Sequence, residues 1–436
     1  MTTLTFPEDF LWGAATAPHQ VEGQNNGSDW WDWETRPDSV VAEPSGDAID
    51  HLHRYPEDID LLASLGLGVY RFGVEWARIE PEPGVYDARW LEHYRAMAAC
   101  VRSRGMVPMV TLYHFSLPRW VAQQGGWGSA ATPGLFARYC RTVVAHLGNH
   151  LDRVITINEP GVVAFAGYLA PLGFPPGRRS VPEWQRASAN LTTAHVLGRA
   201  AVREAGDVRV GASHSMAEWE ANRAGRPVME LMRRGMEDVF LDACDDDDFV
   251  GVQTYTRIPV RLPLVLGPGA WAMAHSGVLR RLVLPRVLSA GVGDAYGAVT
   301  EADATRTDMG YEYRPQAVAA TVRRVAARFG GKDIVVTEHG IAADDDARRV
   351  AFITAGLAAL HEVIADGVPL RGYVHWSAFD NFEWALGYRM HFGLIGVDRA
   401  TQERRVKPSA RLLGSIARSG ELVVPAPEPS GGARLP

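Results

Sequence analysis

The segment that decides the fold reads Ile155-Thr156-Ile157-Asn158-Glu159-Pro160, the end of an apolar run that begins at Arg153. A second run, Asp333-Ile334-Val335-Val336-Thr337-Glu338-His339-Gly340, repeats this design later in the chain. Nearly continuous apolar content is typical of parallel strands that are buried on both faces. The two runs therefore predict parallel strands, each of which delivers one glutamate to the loop that follows it.

Further runs of the same kind occupy the rest of the chain, and helical patterns separate them. The predicted strands are Phe10 to Thr16, Gly68 to Val74, Val107 to Tyr113, Val154 to Ile157, Val208 to Ser213, Phe249 to Tyr255, Ile334 to Thr337 and Gly372 to Trp376. Between them, apolar residues recur at one-face helical spacing, and a glycine follows each such stretch. Repeated strand–helix units predict an α/β fold, a single (β/α)8 TIM barrel. An open doubly wound sheet is the alternative, but neither GxGxxG nor GxxxxGK[ST] follows any of the strands.

The composition of the chain indicates which binding partners and which cellular compartment to expect. The net charge of −7 disfavours a nucleic-acid partner, because phosphate binding needs clustered lysine and arginine. The three cysteines, Cys100, Cys140 and Cys244, have no CxxC spacing and fit a reduced, cytoplasmic chain. The chain lacks both a signal-peptide pattern and the roughly 18 apolar residues of a membrane span. The oligomeric state is left open, a homo-oligomer included.

Polar side chains follow the predicted strands at the point where each strand ends. In a barrel these ends meet on one face. The residues there are His19, Gln20, Glu22, Arg71, Glu75, Trp76, His114, Asn158, Glu159, Gln253, Tyr255, Glu338, Trp376, Asp380, Asn381, Glu383 and Trp384. Amides and carboxylates can bind neighbouring sugar hydroxyls, and an indole can stack on a pyranose ring, whereas a phosphate site would be rich in arginine and lysine. Taken singly each residue has a purely structural explanation, but two carboxylates on one rim are the minimum equipment for glycoside hydrolysis.

With these residues in view, the chain resembles glycoside hydrolase family one, the β-glucosidase family. The segment from Phe10 to Gly23 is similar to its N-terminal signature, and Thr156 to Pro160 is similar to its acid/base motif. Thr337 to Gly340 resembles the nucleophile motif, and Asp380 to Trp384 resembles the glycone-binding segment. The match spans roughly residues 5 to 415 in family order.

The resemblance implies a role for each matching residue. Glu159 would be the general acid/base and Glu338 the nucleophile. The substrate-binding residues would be Asn158 at the sugar 2-hydroxyl, Gln20, His114, Glu383 and Trp384 at the outer hydroxyls, and Trp376 as the floor. Arg71 and Tyr255 would keep the nucleophile ionised. A retaining mechanism requires the two carboxyl groups to lie about 5–5.5 Å apart.

The resemblance thus implies a retaining β-glycosidase, in the first place a β-glucosidase, that acts on a terminal non-reducing sugar without a cofactor. A transglycosidase with a hydrophobic acceptor and a non-catalytic sugar-binding barrel are the alternatives. Two departures stand near the nucleophile: His339 where the family has Asn, and Gln253 where it has the Asn of Asn-Tyr-Tyr. They predict altered surroundings of Glu338 and leave the preference among glucose, galactose and fucose open.

Two stretches interrupt the strand–helix alternation. Residues 258–305 are long, apolar and rich in Gly, Pro and Arg, and an excursion of that size after the sixth strand is unusual inside a domain. It predicts either a packed surface subdomain or a wall for an apolar aglycone or a lipid surface. Residues 425–436 are rich in Pro, Gly, Ser and Ala and predict a disordered tail after a 1–424 domain. The run Asp245 to Asp248 lacks EF-hand spacing and predicts a solvated loop, so no metal site is expected.

Overall fold

A computed structural model describes residues 1–170, 172–282 and 306–424 of the chain. The predicted tail, 425–436, and part of the predicted excursion, 283–305, lie outside the described residues. The domain boundary at residue 424 therefore stays a prediction.

Eight parallel strands form a closed barrel in the middle of the chain's described part. The strands in chain order are β1 Thr2–Thr5, β2 Leu11–Ala15, β3 Val69–Gly73, β4 Val107–Tyr113, β5 Arg153–Asn158, β6 Arg209–Ser215, β7 Glu218–Ala221, β8 Phe249–Gln253, β9 Arg257–Val260, β10 Asp333–His339, β11 Leu370–Trp376, β12 Ile395–Val397, β13 Arg404–Val406 and β14 Glu421–Val424. The barrel closes in the order β10-β11-β2-β3-β4-β5-β6-β8. The predicted (β/α)8 barrel is confirmed, and the alternative of an open sheet is wrong.

Helices cover the outside of the barrel. They are α1 Pro18–Val21, α2 Asp29–Thr35, α3 His51–Ser64, α4 Trp76–Ile79, α5 Ala88–Ser103, α6 Arg119–Gln123, α7 Thr132–Leu147, α8 Pro160–Tyr168, α9 Val181–Ala205, α10 Arg226–Arg233, α11 Val239–Leu241, α12 Gly267–His275, α13 Ala317–Phe329, α14 Asp346–Ala365 and α15 Pro408–Ser419. None of the helices in the described ranges has the length and hydropathy that a membrane crossing requires.

The two faces of each barrel strand feed two separate apolar cores. Val69, Met109, Ile155 and Val335 pack together in one of these cores, and all are fully buried or nearly so. Their strand neighbours pack in the larger core, between the sheet and the helices. Because side chains alternate along a strand, Arg71 points to the same side as Val69, one step nearer the carboxyl end. The barrel interior therefore changes from apolar to charged at that end.

Outside the barrel, the described residues form three two-stranded sheets. β1 pairs antiparallel with β14, and β12 pairs antiparallel with β13. β7 pairs in parallel with β9, which directly follows the sixth barrel strand. The start of the predicted excursion, at 257–260, is thus packed as a strand; a 3₁₀ turn, Leu264–Leu266, and helix α12 follow it.

Candidate active site

A cavity of about 380 Å³ opens at the carboxyl ends of the barrel strands. Seven of the ten predicted site residues line it: His114, Glu159, Tyr255, Glu338, Trp376, Glu383 and Trp384. The other three, Gln20, Arg71 and Asn158, are fully buried and lie behind the lining, where they bond to lining residues. The fold thus brings the whole predicted set to one place.

Glu159 stands at the sharp turn between β5 and α8. Its φ of +46° is in the left-handed region, which a residue with a side chain adopts only at a cost of about 1 kcal/mol. Pro160 at the first helical position and a 2.8 Å hydrogen bond from the Glu159 N–H to the Ser213 carbonyl hold this turn. Burial, and then the charge of Glu338, raise the pKa of Glu159 to about 8, while the Ser215 hydroxyl lowers it. The carboxyl group is therefore protonated at neutral pH.

Glu338 accepts one strong hydrogen bond on each carboxylate oxygen. Arg71 Nη1 donates to Oε1 at 2.5 Å, and the Tyr255 hydroxyl donates to Oε2 at 2.6 Å. Burial raises the pKa of Glu338, and Arg71 and Tyr255 oppose that rise. Among the residues that the structure describes, no cation forms an ion pair with the Glu159 carboxylate, so a single proton on the two glutamates is favoured on Glu159.

Asn158 is fixed by a network that includes one of the two departures from the family motif. Its Oδ1 accepts hydrogen bonds from Arg71 Nη2 at 2.5 Å and from Gln253 Nε2 at 2.7 Å. Its Nδ2 therefore faces His114 Nε2, at 3.2 Å. Burial, and then Arg71, hold the pKa of His114 well below its usual range, so this imidazole is neutral. Gln253 thus orients the Asn158 amide.

Glu383 and Gln20 form a second polar group on the opposite wall. Gln20 Nε2 donates to the Phe382 carbonyl at 2.7 Å, to Asn381 Oδ1 at 3.1 Å and to Glu383 Oε2 at 3.4 Å. Burial, and then Glu338, raise the pKa of Glu383 to about 8. Within the described residues, Gln20 Oε1, His114 Nδ1 and Gln253 Oε1 are buried without a hydrogen-bond partner. Of these three residues His114 lines the cavity, so its unpartnered Nδ1 can serve a hydroxyl group of a ligand.

The two predicted indoles lie on either side of His114. Trp376 stacks on the His114 ring with centroids 5.7 Å apart, and Trp384 stacks on it at 6.1 Å. Trp384 also packs on the buried Trp30 at 4.6 Å, and its own φ is +50°. The aromatic wall is therefore built from three segments that are far apart in the sequence: helix α2, the end of β4, and the end of β11 with the loop after it.

His339, the other departure, turns away from the cavity. Its ring stacks on Phe352 with centroids 4.6 Å apart, and its nitrogens lie 3.1 Å from the Tyr373 hydroxyl and 3.2 Å from the Pro315 carbonyl. The residue after Glu338 on a strand faces the opposite side of the sheet. Gly356 of α14 gives the ring room, because a Cβ there would lie 2.5 Å from His339 Cε1. The change in the polar network behind the nucleophile comes from Gln253.

The sequence analysis missed several residues that line the cavity. Ser215 was placed beyond the end of its strand, which in fact runs two residues further than predicted. Phe115, with a φ of +74°, and Phe174, Leu172 and Met309 come from loops whose sequences carry no periodic signal. Only Ser215 could have been found, by extending the fifth predicted strand, Val208 to Ser213, to the rim of the barrel that its neighbouring strands reach.

One group of metal-type side chains occurs in the described part of the chain, and it lies outside the cavity. His195, Cys244 and Asp247 are buried, with ligand atoms within 4.8 Å of one another. Arg199 Nη1 donates to Asp247 at 2.6 Å, and His195 Nε2 lies 3.0 Å from the same oxygen. The carboxylate is thus balanced by an arginine. Three residues of the run Asp245 to Asp248 are exposed, as the predicted solvated loop requires, but Asp247 is buried by these partners from α9.

Comparison with known proteins gives a consistent result. The model of the family described as "Glycosyl hydrolase family 1" matches residues 2–244 and 287–422. A beta-glucosidase of Agrobacterium sp. is 32% identical over 438 residues, with 94% of this chain and 95% of the relative covered. Beta-glucosidase A of Thermotoga maritima is 30% identical over 472 residues, with 97% and 100% covered. The crystal structure of beta-glycosidase BGL167 is 39% identical and superposes with a TM-score of 0.79, covering 98% of this chain and 100% of that one.

Proposed function

The chain belongs to glycosyl hydrolase family 1, a family of retaining glycosidases, and we propose that it releases β-linked glucose from the non-reducing end of its substrate. The named relatives that support glucose as the sugar are beta-glucosidases. The observation that carries the assignment of roles is the contrast between Glu159 and Glu338. They line one cavity, but only Glu338 receives a guanidinium and a phenol on its carboxylate.

In the first step Glu338 acts as the nucleophile and Glu159 as the acid. The Glu338 carboxylate attacks the anomeric carbon while Glu159 gives its proton to the leaving oxygen. The bond between that oxygen and the anomeric carbon breaks, and an ester between the sugar and Glu338 forms. Because the ester carries no charge, Glu338 no longer raises the pKa of Glu159. Glu159, now ionised, is ready to act as a base.

In the second step water takes the place of the leaving group. The Glu159 carboxylate removes a proton from water, and the water oxygen attacks the anomeric carbon. The ester bond breaks, the Glu338 carboxylate is released and accepts its two hydrogen bonds again. Two inversions at one carbon give net retention. The carboxyl separation of about 5–5.5 Å that this route requires stays a prediction.

The remaining predicted residues bind the sugar. The fixed orientation of Asn158 directs its Nδ2 toward the sugar 2-hydroxyl beside Glu338. Gln20 and Glu383 would bind the outer hydroxyls, and a protonated Glu383 would donate as well as accept. His114 and Trp384 would complete this set, with Trp376 as the floor of the pocket.

The aglycone side of the cavity is apolar. Val162, Ala166, Leu172, Phe174, Met309 and Leu386 line it. Such a lining suits an aryl or alkyl aglycone, since apolar contact area is its main source of affinity. It also supports transglycosylation to a hydrophobic alcohol as a second activity. Product analysis with added octanol would detect octyl glucoside if water does not outcompete the alcohol.

Two glutamate variants test the assignment. Glu338→Ala should lose turnover of every aryl β-glucoside, and added azide should restore activity with an inverted, α-configured product. Glu159→Ala should lose turnover of phenyl glucoside by about 10²–10⁴-fold, but far less with a dinitrophenyl leaving group that needs no proton. A Glu338→Ala enzyme as fast as the wild type would refute the assignment of Glu338 as the nucleophile. If Glu159→Ala lost the same factor in turnover on both substrates, the assignment of Glu159 as the acid would be refuted.

The compartment and partners belong to the same proposal. Three free cysteines support a reducing, cytoplasmic location, and the net charge of −7 argues against nucleic acid. A domain that extends from residue 1 to residue 424 fits β1 and β14 as its first and last strands. Whether the protein forms a homo-oligomer stays open.

A further inference from the structure

The described part of the excursion carries a disproportionate share of the exposed apolar surface. Of the thirteen large apolar side chains exposed in the described residues, seven lie between 264 and 282. We define six of these as the apolar face: Leu264, Val265, Leu266, Trp271, Val278 and Leu279. Val265 is 83% exposed, Leu264 73%, Val278 69% and Trp271 58%. Clustered exposure of this kind marks an interaction site rather than the scattered apolar surface of ordinary proteins.

The charge of the same segment is opposite in sign to that of the whole chain. Residues 249–293 contain no Asp or Glu and five arginines, whereas the full chain has a net charge of −7. Arg257 and Arg261 pair with Glu220 at 2.5 and 3.1 Å. Arg281 is exposed next to the apolar face. Because Glu220 and Glu312 neutralise Arg257 and Arg261, the positive charge beside the apolar face comes from Arg281 and the half-buried Arg280.

The apolar face is placed on the catalytic side of the barrel. It follows β8, whose last residue, Gln253, bonds to Asn158 behind the cavity. In a barrel the loops after the strands form the catalytic face.

We propose that the apolar face docks on an anionic lipid bilayer. Apolar and aromatic side chains flanked by arginine are the composition of segments that lie in the membrane interface. Anionic lipids of the cytoplasmic leaflet attract such segments by about 1 kcal/mol per arginine near the surface, a factor of about five in binding. A second copy of this chain would bring like-charged arginines together, which disfavours self-association through the same face. The bilayer is thus the partner that satisfies both the apolar area and the charge.

Sedimentation with vesicles tests the proposal on the full chain. Wild-type protein should bind vesicles of phosphatidylcholine with phosphatidylglycerol, bind phosphatidylcholine alone more weakly, and release as salt rises. Val265→Asp should weaken binding about tenfold or more, because it removes an inserted side chain and adds repulsion. Arg281→Gln should weaken it about fivefold on the anionic vesicles.

Val40→Asp and Val85→Asp are the matched controls, since these valines are 62% and 53% exposed elsewhere on the surface. Both should bind vesicles as the wild type does. All variants should hydrolyse an aryl glucoside at the wild-type rate, which separates a failure here from a failure of the proposed catalysis. Absence of binding to anionic vesicles at low salt would overturn the proposal. Unchanged vesicle binding by Val265→Asp would also overturn it. So would a wild-type dimer that does not bind vesicles and that Val265→Asp converts to a monomer, because the apolar face would then be a contact between two copies.

Discussion

The pH dependence of hydrolysis should respond to Ser215, whose hydroxyl bonds to the acid Glu159. Ser215 lies at the end of β6, and its hydroxyl lowers the pKa of Glu159, which burial and Glu338 raise to about 8. A hydrogen bond donated to a carboxylate favours the ionised form. Removing the hydroxyl in Ser215→Ala should therefore raise the pKa of Glu159 and keep it protonated to higher pH.

The size of the shift follows from the strength of that bond. Hydrogen bonds to charged groups contribute about 1.5–3 kcal/mol, and one pKa unit corresponds to about 1.36 kcal/mol. The range is thus roughly one to two units. Ser215 is only half-buried, so water screens the bond and we expect about one unit. The basic limb of activity should move from about pH 8 to about pH 9.

The assay is kcat/KM for phenyl β-glucoside from about pH 5 to about pH 10, because kcat/KM reports the free enzyme and phenol needs protonation to leave. Ser213→Ala is the matched control: this serine is two residues earlier on the same strand, and it meets Glu159 through its backbone carbonyl. It should leave the limb in place. A basic limb that stays fixed or moves to lower pH in Ser215→Ala would refute the proposed role of Glu159 as the acid.

Three further predictions rest on single contacts. Tyr255→Phe removes a 2.6 Å hydrogen bond to the nucleophile and should lower kcat/KM by roughly 10–100-fold, whereas Tyr388→Phe, whose hydroxyl bonds to a backbone carbonyl elsewhere, should keep wild-type kinetics. Gly356→Ala should lower the free energy of unfolding in urea by about 1–3 kcal/mol, because its Cβ meets the His339 ring, and adding His339→Asn should recover part of that loss; an additive double variant would contradict the contact. Burial raises the pKa of Asp58, but Arg404 and His51 outweigh it and lower the pKa below the usual value. The ionised Asp58 therefore stabilises the folded state at neutral pH, and this contribution is lost as pH falls through the folded-state pKa. Asp58→Asn should therefore cost about 3 kcal/mol at neutral pH in urea unfolding, and a deficit that does not shrink below about pH 4 would contradict the ion pair.

The sequence predicts the barrel well because its strands are buried on both faces. The predicted run Val107 to Tyr113 coincides with the observed strand β4, because continuous apolar content is typical of a parallel strand buried on both faces. The rim is predicted where a motif marks it, as at Glu159, but not where a strand simply continues, as at Ser215. The apolar run that marks a strand in the sequence ends before the strand itself, because the last residues of the strand face the cavity and are polar.

Contacts between distant segments account for the remaining misses. Asp247 was expected in solvent, but the residues that bury and neutralise it, His195 and Arg199, belong to a helix earlier in the chain. His339 could not be assigned to the outer side of β10 until its strand neighbour Glu338 was known to face inward. Such partners are set by tertiary packing, which local patterns do not encode.

The pairing of β1 with β14 has a consequence for biosynthesis. Thr2 lies opposite Val424, so β1 has no partner in this sheet until β14 has been translated. Closing this sheet is the longest-range contact in the described fold, and such contacts form late and slowly. A nascent chain would therefore expose the edge of β1 until β14 emerges from the ribosome, and the antiparallel pair would then cover it.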